Sequence, residues 1–444
     1  MDIHSFRTPG LGDSTYVLEH EGAAILVDPQ RDIDRFLALV DDKGLHLTMV
    51  LETHLHNDYV SGGEQAALRT GADLVLPAAA AAAYRYTPAF HLEELAGPEG
   101  LSIRPLHTPG HTPEHTSYVV LLDGREVAVF SGGSLLVGSA GRPDLLGPER
   151  AETLARLQYV SLGRLAALPA ETQLLPTHGE GSFCTASGAG TYTSTIGAEV
   201  ASNPLLALDT PEALAKEMLR SPMPIPGFYR YMGPTNTLGV PPLPTATVPR
   251  LSVTELDGLS DRDKLHIVDL RPRTDQAKGV LKGTVAIELA DDFGSWTGWL
   301  VPYNEPVVLV ANPDQDTEAA ITQLRQIGFD NVVGVVNDIR GADLHADFSL
   351  VDIATARELA AHDEVQVLDV RMPHEVAERS LPGAVTRFVA DLYTKGIPRE
   401  LTTRQPVLVA CASGRRAVIA ASLLTAEGFD VRVLNPGGIP DLVG

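Results

Sequence analysis

The sequence predicts an α/β chain in three folded parts, and three observations carry that expectation. Histidines recur in three loops that each follow an apolar, strand-like run. A proline-rich stretch divides the chain near its middle, and beyond it a block of strand and helix signals repeats one hundred positions later. The expected divisions are a histidine-bearing domain over 1–220, a connector over 221–250, and two α/β domains with parallel sheets over 251–345 and 346–444.

The first part opens with strand signals around 16–19 and 24–28. The apolar run 48–51 reads as another strand, and it delivers Thr53-His54-Leu55-His56-Asn57-Asp58-Tyr59 just before Gly62-Gly63 and a helical pattern. Two imidazoles one residue apart can turn toward one point, with a carboxylate two residues on, and first-row metals favour those donors. A second cluster, His107-Thr108-Pro109-Gly110-His111-Thr112-Pro113-Glu114-His115, and a third, Pro176-Thr177-His178-Gly179, lie where other strands end. Loops at one sheet edge converge, so the three histidine loops are expected to form one site. His107 and His115, flanked by Pro, Thr or Glu, are expected to be supporting or surface histidines.

Residues 221–250 hold eight prolines, too many for a helix or a central strand, so this segment is expected to be extended. Phe228, Tyr229, Tyr231 and Met232 would lay it against the first domain. Beyond it, Leu265-His266-Ile267-Val268-Asp269-Leu270-Arg271 recurs as Val365-Gln366-Val367-Leu368-Asp369-Val370-Arg371. Pro306-Val307-Val308-Leu309-Val310-Ala311 is echoed by Pro406-Val407-Leu408-Val409-Ala410, and Gly328-Phe329-Asp330 by Gly428-Phe429-Asp430. Strands apolar throughout that alternate with helices indicate a buried parallel sheet in each copy.

The two copies differ where chemistry would sit. In the second, a strand delivers Cys411-Ala412-Ser413-Gly414-Arg415-Arg416 and then a helical run over 417–427. A thiol facing a helix N-terminus and cationic side chains is in a setting that favours an anionic sulfur nucleophile. The first copy has Asn312 there, followed by Pro313-Asp314-Gln315-Asp316. An amide is no sulfur nucleophile and two carboxylates repel an anion, so this copy is expected to be structural, with Asp269, Arg271 and Asp275 as fold residues. Cys184, just past His178, is expected to be a packed or substrate-lining thiol.

The formal net charge of −23 argues against nucleic acid or anionic membrane as a partner. Met1-Asp2-Ile3-His4-Ser5-Phe6-Arg7 lacks the basic start and apolar stretch of a signal peptide, and no apolar run is long enough to span a bilayer. Two distant cysteines offer no disulfide framework, so a reducing, cytoplasmic setting is expected. A homo-oligomer is compatible with these properties.

The His-x-His-x-Asp run with a distant Thr-Pro-Gly-His resembles the metallo-β-lactamase superfamily over roughly residues 1–240. The continuation Asn57-Asp58-Tyr59-Val60-Ser61-Gly62-Gly63, with Ser131-Gly132-Gly133-Ser134 and Gly141-Arg142-Pro143-Asp144, is most similar to persulfide dioxygenases fused to rhodanese domains. The Cys411 loop, Asp369, Arg371, Glu375 and Asn435-Pro436-Gly437-Gly438-Ile439 resemble a rhodanese sulfurtransferase. The resemblance implies an αββα sandwich followed by two rhodanese-like α/β domains, one active and one lacking its cysteine. It also implies iron(II) on an aspartate and two histidines, here His54 and His111, and oxidation of a low-molecular-weight thiol persulfide by O₂ to sulfite. His56 is near enough to be a third imidazole, with Asp58, His178 or water completing the coordination. Sulfane sulfur would move through Cys411 to sulfite, giving thiosulfate, within hydrogen sulfide metabolism. Arg142 could anchor a substrate carboxylate or pair with neighbouring Asp144.

One ligand departs from that pattern, because Gly133 stands where the family has its aspartate. Tyr59 likewise replaces a histidine of the family's second metal site, which would otherwise use Asp58 and His178. A nitrogen-only site would favour zinc(II) more than iron(II), and Gly133→Asp is expected to raise iron occupancy if the strand end tolerates a side chain. Two alternatives stand beside this reading: a sulfurtransferase with a metal-free thiol-binding domain, and a metal-dependent thioester hydrolase of the glyoxalase II type.

Overall fold

The computed structural model describes residues 1–186, 191–220, 223–259, 264–345, 348–362 and 364–443. The chain forms two compact units, Met1–Leu243 with Arg325–Gly328, and Pro244–Leu324 with Phe329–Gly444.

The first unit is a two-sheet sandwich with helices on both outer faces. One six-stranded sheet runs in chain order from Asp2–Thr8 to Thr87–Ala89. The other is ordered Ser194–Thr195, Gln173–Pro176, Arg125–Gly132, Thr116–Leu122, Leu101–His107, Leu95–Ala96. Period-two alternation explains the layering. Tyr16, Leu18, Ile25 and Val27 face inward to meet Tyr118, Val120 and Phe130 of the other sheet. Val17, Ala24 and Leu26 face outward under Phe36, Leu37 and Val40 of helix Asp34–Asp42. Val119, Leu121 and Val129 do the same under Leu162 and Leu165 of helix Pro148–Ala166. Both faces of each sheet are therefore dry, which leaves the strand-end loops as the place for polar chemistry.

The connector departs from the extended expectation, because Tyr229–Leu238 is a helix with Pro234 inside it. Proline crowds 222–226 and 241–249, whereas 227–233 is free of it and carries Phe228, Tyr229 and Met232, all buried. Burial of that face outweighs the single interior proline. The segment packs within the first unit, and its Asn236 is buried there.

The second unit holds two parallel sheets. The first is ordered Thr284–Ala286, His266–Asp269, Val307–Val310, Val332–Val336. The second repeats that order with Val385–Thr386, Gln366–Asp369, Val407–Ala410, Val431–Leu434 and adds Ser349–Val351 at the far edge. Thr284–Ala286 and Val385–Thr386 are short strands that the repeat did not reveal. Each copy also repeats one ion pair: Asp269 with Arg271 at 2.6 Å, and Asp369 with Arg371 at 2.7 Å. Both pairs are buried just past their first strands, as fold residues would be. Among the described residues no helix is long and apolar enough to cross a membrane.

Candidate functional site

In the first unit the strand ends bring His54, His111 and His178 together, with one ring nitrogen of each lying within 4.8 Å of the others. Their hydrogen bonds define which nitrogen faces inward. The Thr53 hydroxyl donates to Asp28 Oδ2 at 2.7 Å, so its oxygen accepts from His54 Nδ1 at 2.9 Å. His111 Nδ1 donates to the Arg142 carbonyl at 2.9 Å, and His178 Nδ1 donates to Asp13 Oδ1 at 2.8 Å. All three imidazoles thus carry their proton on Nδ1 and turn an Nε2 lone pair toward one point. His111 Nε2 has no hydrogen-bond partner, and His54 Nε2 lies 3.4 Å from His178 Nε2, two lone pairs facing each other. Buried acceptors without donors are costly, and a divalent cation would satisfy all three. Burial holds each of these three imidazoles below the usual histidine range, which keeps the lone pairs available.

His56 points elsewhere. Its Nε2 lies 3.2 Å from both Asp28 and Glu52, and its ring stacks on Tyr59 with centroids 4.3 Å apart. Burial works to lower His56, but Asp28 and then Glu52 prevail and hold it well above the ordinary value. The third imidazole facing His54 and His111 is therefore His178 in place of the expected His56. His56 and Asp58 approach His178 as a second possible ligand group. Asp58 lies 3.3 Å from His178 Nδ1 and beside Asp13. Burial pushes Asp13 up to about 8 and Asp58 up to about 7, the latter helped by Asp13 itself.

His115 is closed off. The Gly133 N–H donates to its Nε2 at 2.9 Å, so its Nδ1 proton goes to Thr108 Oγ1 at 2.9 Å. Burial drives it down to about 3, as a neutral structural imidazole. His107 sits toward the surface with Nε2 3.1 Å from the Pro113 carbonyl.

Gly133 is more than a missing carboxylate. An ideal Cβ there would lie 2.3 Å from His111 Cδ2 and 2.9 Å from its Nε2. The His111 ring fills the space a side chain would need, so the strand end does not tolerate the Gly133→Asp change in this arrangement.

Arg142 takes the second of its two expected roles. It forms a two-pronged pair with Asp144, 2.7 Å on each side, and its remaining N–H groups reach the carbonyls of Met223, Phe183 and Pro224. A fully used guanidinium offers no fork to a substrate carboxylate. Cys184 is fully buried and 3.7 Å from the Tyr229 hydroxyl, and burial, then Asp58 and Asp13, push its thiol well up. Asn236 escaped sequence reasoning. Its amide donates to the His56 and Tyr59 carbonyls at 2.8 and 2.9 Å and accepts from Ser61 N at 2.9 Å, pinning the histidine loop.

In the second unit Cys411 follows strand Val407–Ala410, and the Gly414 N–H points at its Sγ at 3.1 Å. Gly414 has φ +87° at the head of helix Arg415–Ala426, a backbone conformation that favours glycine. Arg416 pairs with Glu375, and burial, which acts to lower this guanidinium, is overcome by Glu375 and then by Cys411 beside it. Arg415 pairs with Asp292 from the other half of the unit, while Ala412 and Ser413 are exposed above the thiol.

The paired strands correct the expectation for the first copy: Asp269 pairs with Val310 as Asp369 pairs with Ala410, so Ala311 stands in the place of Cys411 and Asn312 follows it. Asn312 Nδ2 donates to Asp275 at 2.8 Å, and Gln315 Oε1 accepts the Asn312 backbone N–H at 2.8 Å.

Residues 8–178 match the family model of the metallo-beta-lactamase superfamily, and residues 352–441 that of the rhodanese-like domain. A hydroxyacylglutathione hydrolase of Methylococcus capsulatus is 30% identical over 245 residues, 48% of this chain and 90% of that protein. One from Methylobacillus flagellatus is 32% identical over 164 residues, and the match covers 37% of this chain and 60% of that relative's length. A metallo-beta-lactamase structure from Staphylococcus aureus superposes with a TM-score of 0.68 at 25% identity, covering 76% of this chain and 99% of that one.

Proposed function

This chain belongs to the metallo-beta-lactamase superfamily, and we propose that it is a two-site enzyme of sulfur metabolism. The observation that carries the reading is the Gly414 N–H aimed at Cys411 Sγ at 3.1 Å, at the head of a helix and beside Arg416. A backbone donor and a cation converging on one sulfur are placed to hold an anionic persulfide. Cys411 attacks the outer sulfur of thiosulfate, the S–S bond breaks, and its electron pair leaves on sulfite. The sulfane sulfur then rests on Cys411 as a persulfide. An acceptor nucleophile attacks that outer sulfur and returns the Cys411 thiolate; when Cys411 is loaded instead from a thiol persulfide, whose thiolate leaves, sulfite as acceptor gives net thiosulfate.

The histidine pocket is the second site. His54, His111 and His178 would hold a metal ion, iron(II) or zinc(II), that supplies Lewis acidity and, as iron, the one-electron chemistry O₂ requires. Thr53, the Arg142 carbonyl and Asp13 orient the three rings by accepting hydrogen bonds from their Nδ1–H groups. The substrate of this site is a low-molecular-weight thiol persulfide, oxidised by O₂ to sulfite, which is the acceptor that Cys411 needs. The Asn312 half of the second unit is a rhodanese-like domain without its nucleophile.

A second reading, metal-dependent thioester hydrolysis, draws on the hydroxyacylglutathione hydrolases to which the chain is similar. Against it, Gly133 and Tyr59 occupy two positions where such a two-metal site would need donors. The test is direct: protein loaded with iron(II) anaerobically is assayed for O₂ consumption on several thiol persulfides, for hydrolysis of acyl-thiols, and for thiocyanate formation from thiosulfate and cyanide. Thioester hydrolysis without persulfide oxidation would move the first site to the second reading, and absence of thiocyanate would remove the sulfurtransferase.

A further inference from the structure

We infer that the cysteine-free half of the second unit is a working part of the sulfur-transfer site, through Arg273 as a positioning residue. Arg273 belongs to the short helix Arg273–Gln276 of that half, yet its Nη1 donates to the Ser413 carbonyl at 3.0 Å and to Asn435 Oδ1 at 3.1 Å. Its other side is held by Glu288, with Nε donating at 2.7 Å and Nη2 at 2.6 Å from the same oxygen.

The Ser413 carbonyl and the Gly414 N–H belong to one peptide plane and point in opposite directions. Gripping the oxygen from outside therefore turns the N–H inward, where it meets Cys411 Sγ at 3.1 Å. This peptide has a choice that most lack. Gly414 has no Cβ and sits at φ +87°, and glycine accepts either sign of φ, so the plane can rotate over at little steric cost. Rotated over, it would present a carbonyl oxygen to an anionic sulfur. Arg273 selects the productive orientation, and a cation on the carbonyl also polarises the N–H at the other end of the plane. The packing around Gly414 agrees: a Cβ there would meet Asn435 Oδ1 at 2.9 Å, Arg273 Nη1 at 3.0 Å and the Leu434 carbonyl at 3.1 Å. The loop is boxed by its own domain on two sides and by the cysteine-free half on the third. The Arg415–Asp292 pair and the Ala286 N–H to Ser422 Oγ bond at 3.1 Å tie the same helix to the same half.

The inference rests on the sulfur-transfer reading of Cys411, and two readouts separate them. Absence of thiocyanate from the unaltered protein removes that reading. The inference is tested by the rate of Cys411 alkylation by iodoacetamide across pH, which needs no sulfur transfer. Arg273→Met is expected to move that profile to higher pH and to lower kcat about tenfold, a charged hydrogen bond's worth, with KM for thiosulfate changed much less. Arg273→Lys, which keeps one charged donor, restores part of both. A merely structural role would lower the melting temperature and leave the alkylation profile in place. Should Arg273→Met fail to fold, Glu288→Gln, which loosens the arginine and keeps the size, must shift the profile the same way by less. A folded Arg273→Met protein, or failing that Glu288→Gln, with the unaltered alkylation profile overturns the inference.

Discussion

The histidine pocket of the first unit and the cysteine loop of the second sit at equivalent places, the carboxyl ends of buried strands, and are built with opposite polarity. In the first, Thr53, the Arg142 carbonyl and Asp13 accept hydrogen bonds from the Nδ1–H groups, so that only lone pairs face the pocket. In the second, the Gly414 N–H and the Arg416 guanidinium face the sulfur, so that donors and positive charge meet it. Lone pairs collect a cation and donors collect an anion. The difference lies less in the reacting residues than in what their neighbours do with protons.

If that contrast is right, each site can be removed without the other. The largest effect belongs to Cys411→Ser, which should abolish thiocyanate formation from thiosulfate and cyanide while leaving metal content unchanged, with Cys184→Ser retaining most of the transfer. Transfer near the unmodified rate in Cys411→Ser would end the sulfurtransferase reading. The converse variants, His54→Ala, His111→Ala and His178→Ala, should each strip bound metal, read by elemental analysis after dialysis, while transfer through Cys411 persists. Full metal retention in His178→Ala would show that His56 takes its place.

A smaller and more discriminating effect comes from Gly133→Asp. Sequence comparison alone suggests that restoring a carboxylate raises iron occupancy. The 2.3 Å approach of its Cβ to His111 Cδ2 reverses the expectation. The new side chain displaces the ring, and metal content should fall or stay level. A clear gain in iron and in O₂-dependent persulfide oxidation would mean that His111 moves easily. The smallest expected change is in the double variant Ala311→Cys, Cys411→Ser, which puts a thiol at the register position of Cys411 and should show no transfer above background. In that loop Asn312 spends its own N–H on Gln315 and its amide on Asp275, where the other copy pairs Arg416 with Glu375. Cyanide-linked transfer from the double variant would make the difference between the copies a matter of one residue.

Much of this was legible in the residues. His54, His111 and Cys411 announce themselves because each follows an apolar strand and sits in a motif of donor types. The hundred-residue repeat foretold two parallel sheets, now observed with one strand order. What stayed hidden depends on long-range contacts between unlike residues. Asp13 lies 165 positions from the histidine it orients, and Arg273 140 positions from the carbonyl it grips. The helix Tyr229–Leu238 was masked by counting prolines over a window instead of asking where they fall. Asp144, two residues on, made a salt bridge with Arg142 as legible as a substrate contact, whereas the three carbonyls that use its other N–H groups were not visible in the sequence.

The central claim is that sulfur is carried on Cys411, and intact-protein and peptide mass spectrometry after thiosulfate treatment tests it most directly. The account predicts a mass gain of one sulfur atom located on Cys411, lost on addition of cyanide and absent from Cys411→Ser. Sulfur found on Cys184 with Cys411 unmodified, or no added sulfur on either, would contradict it.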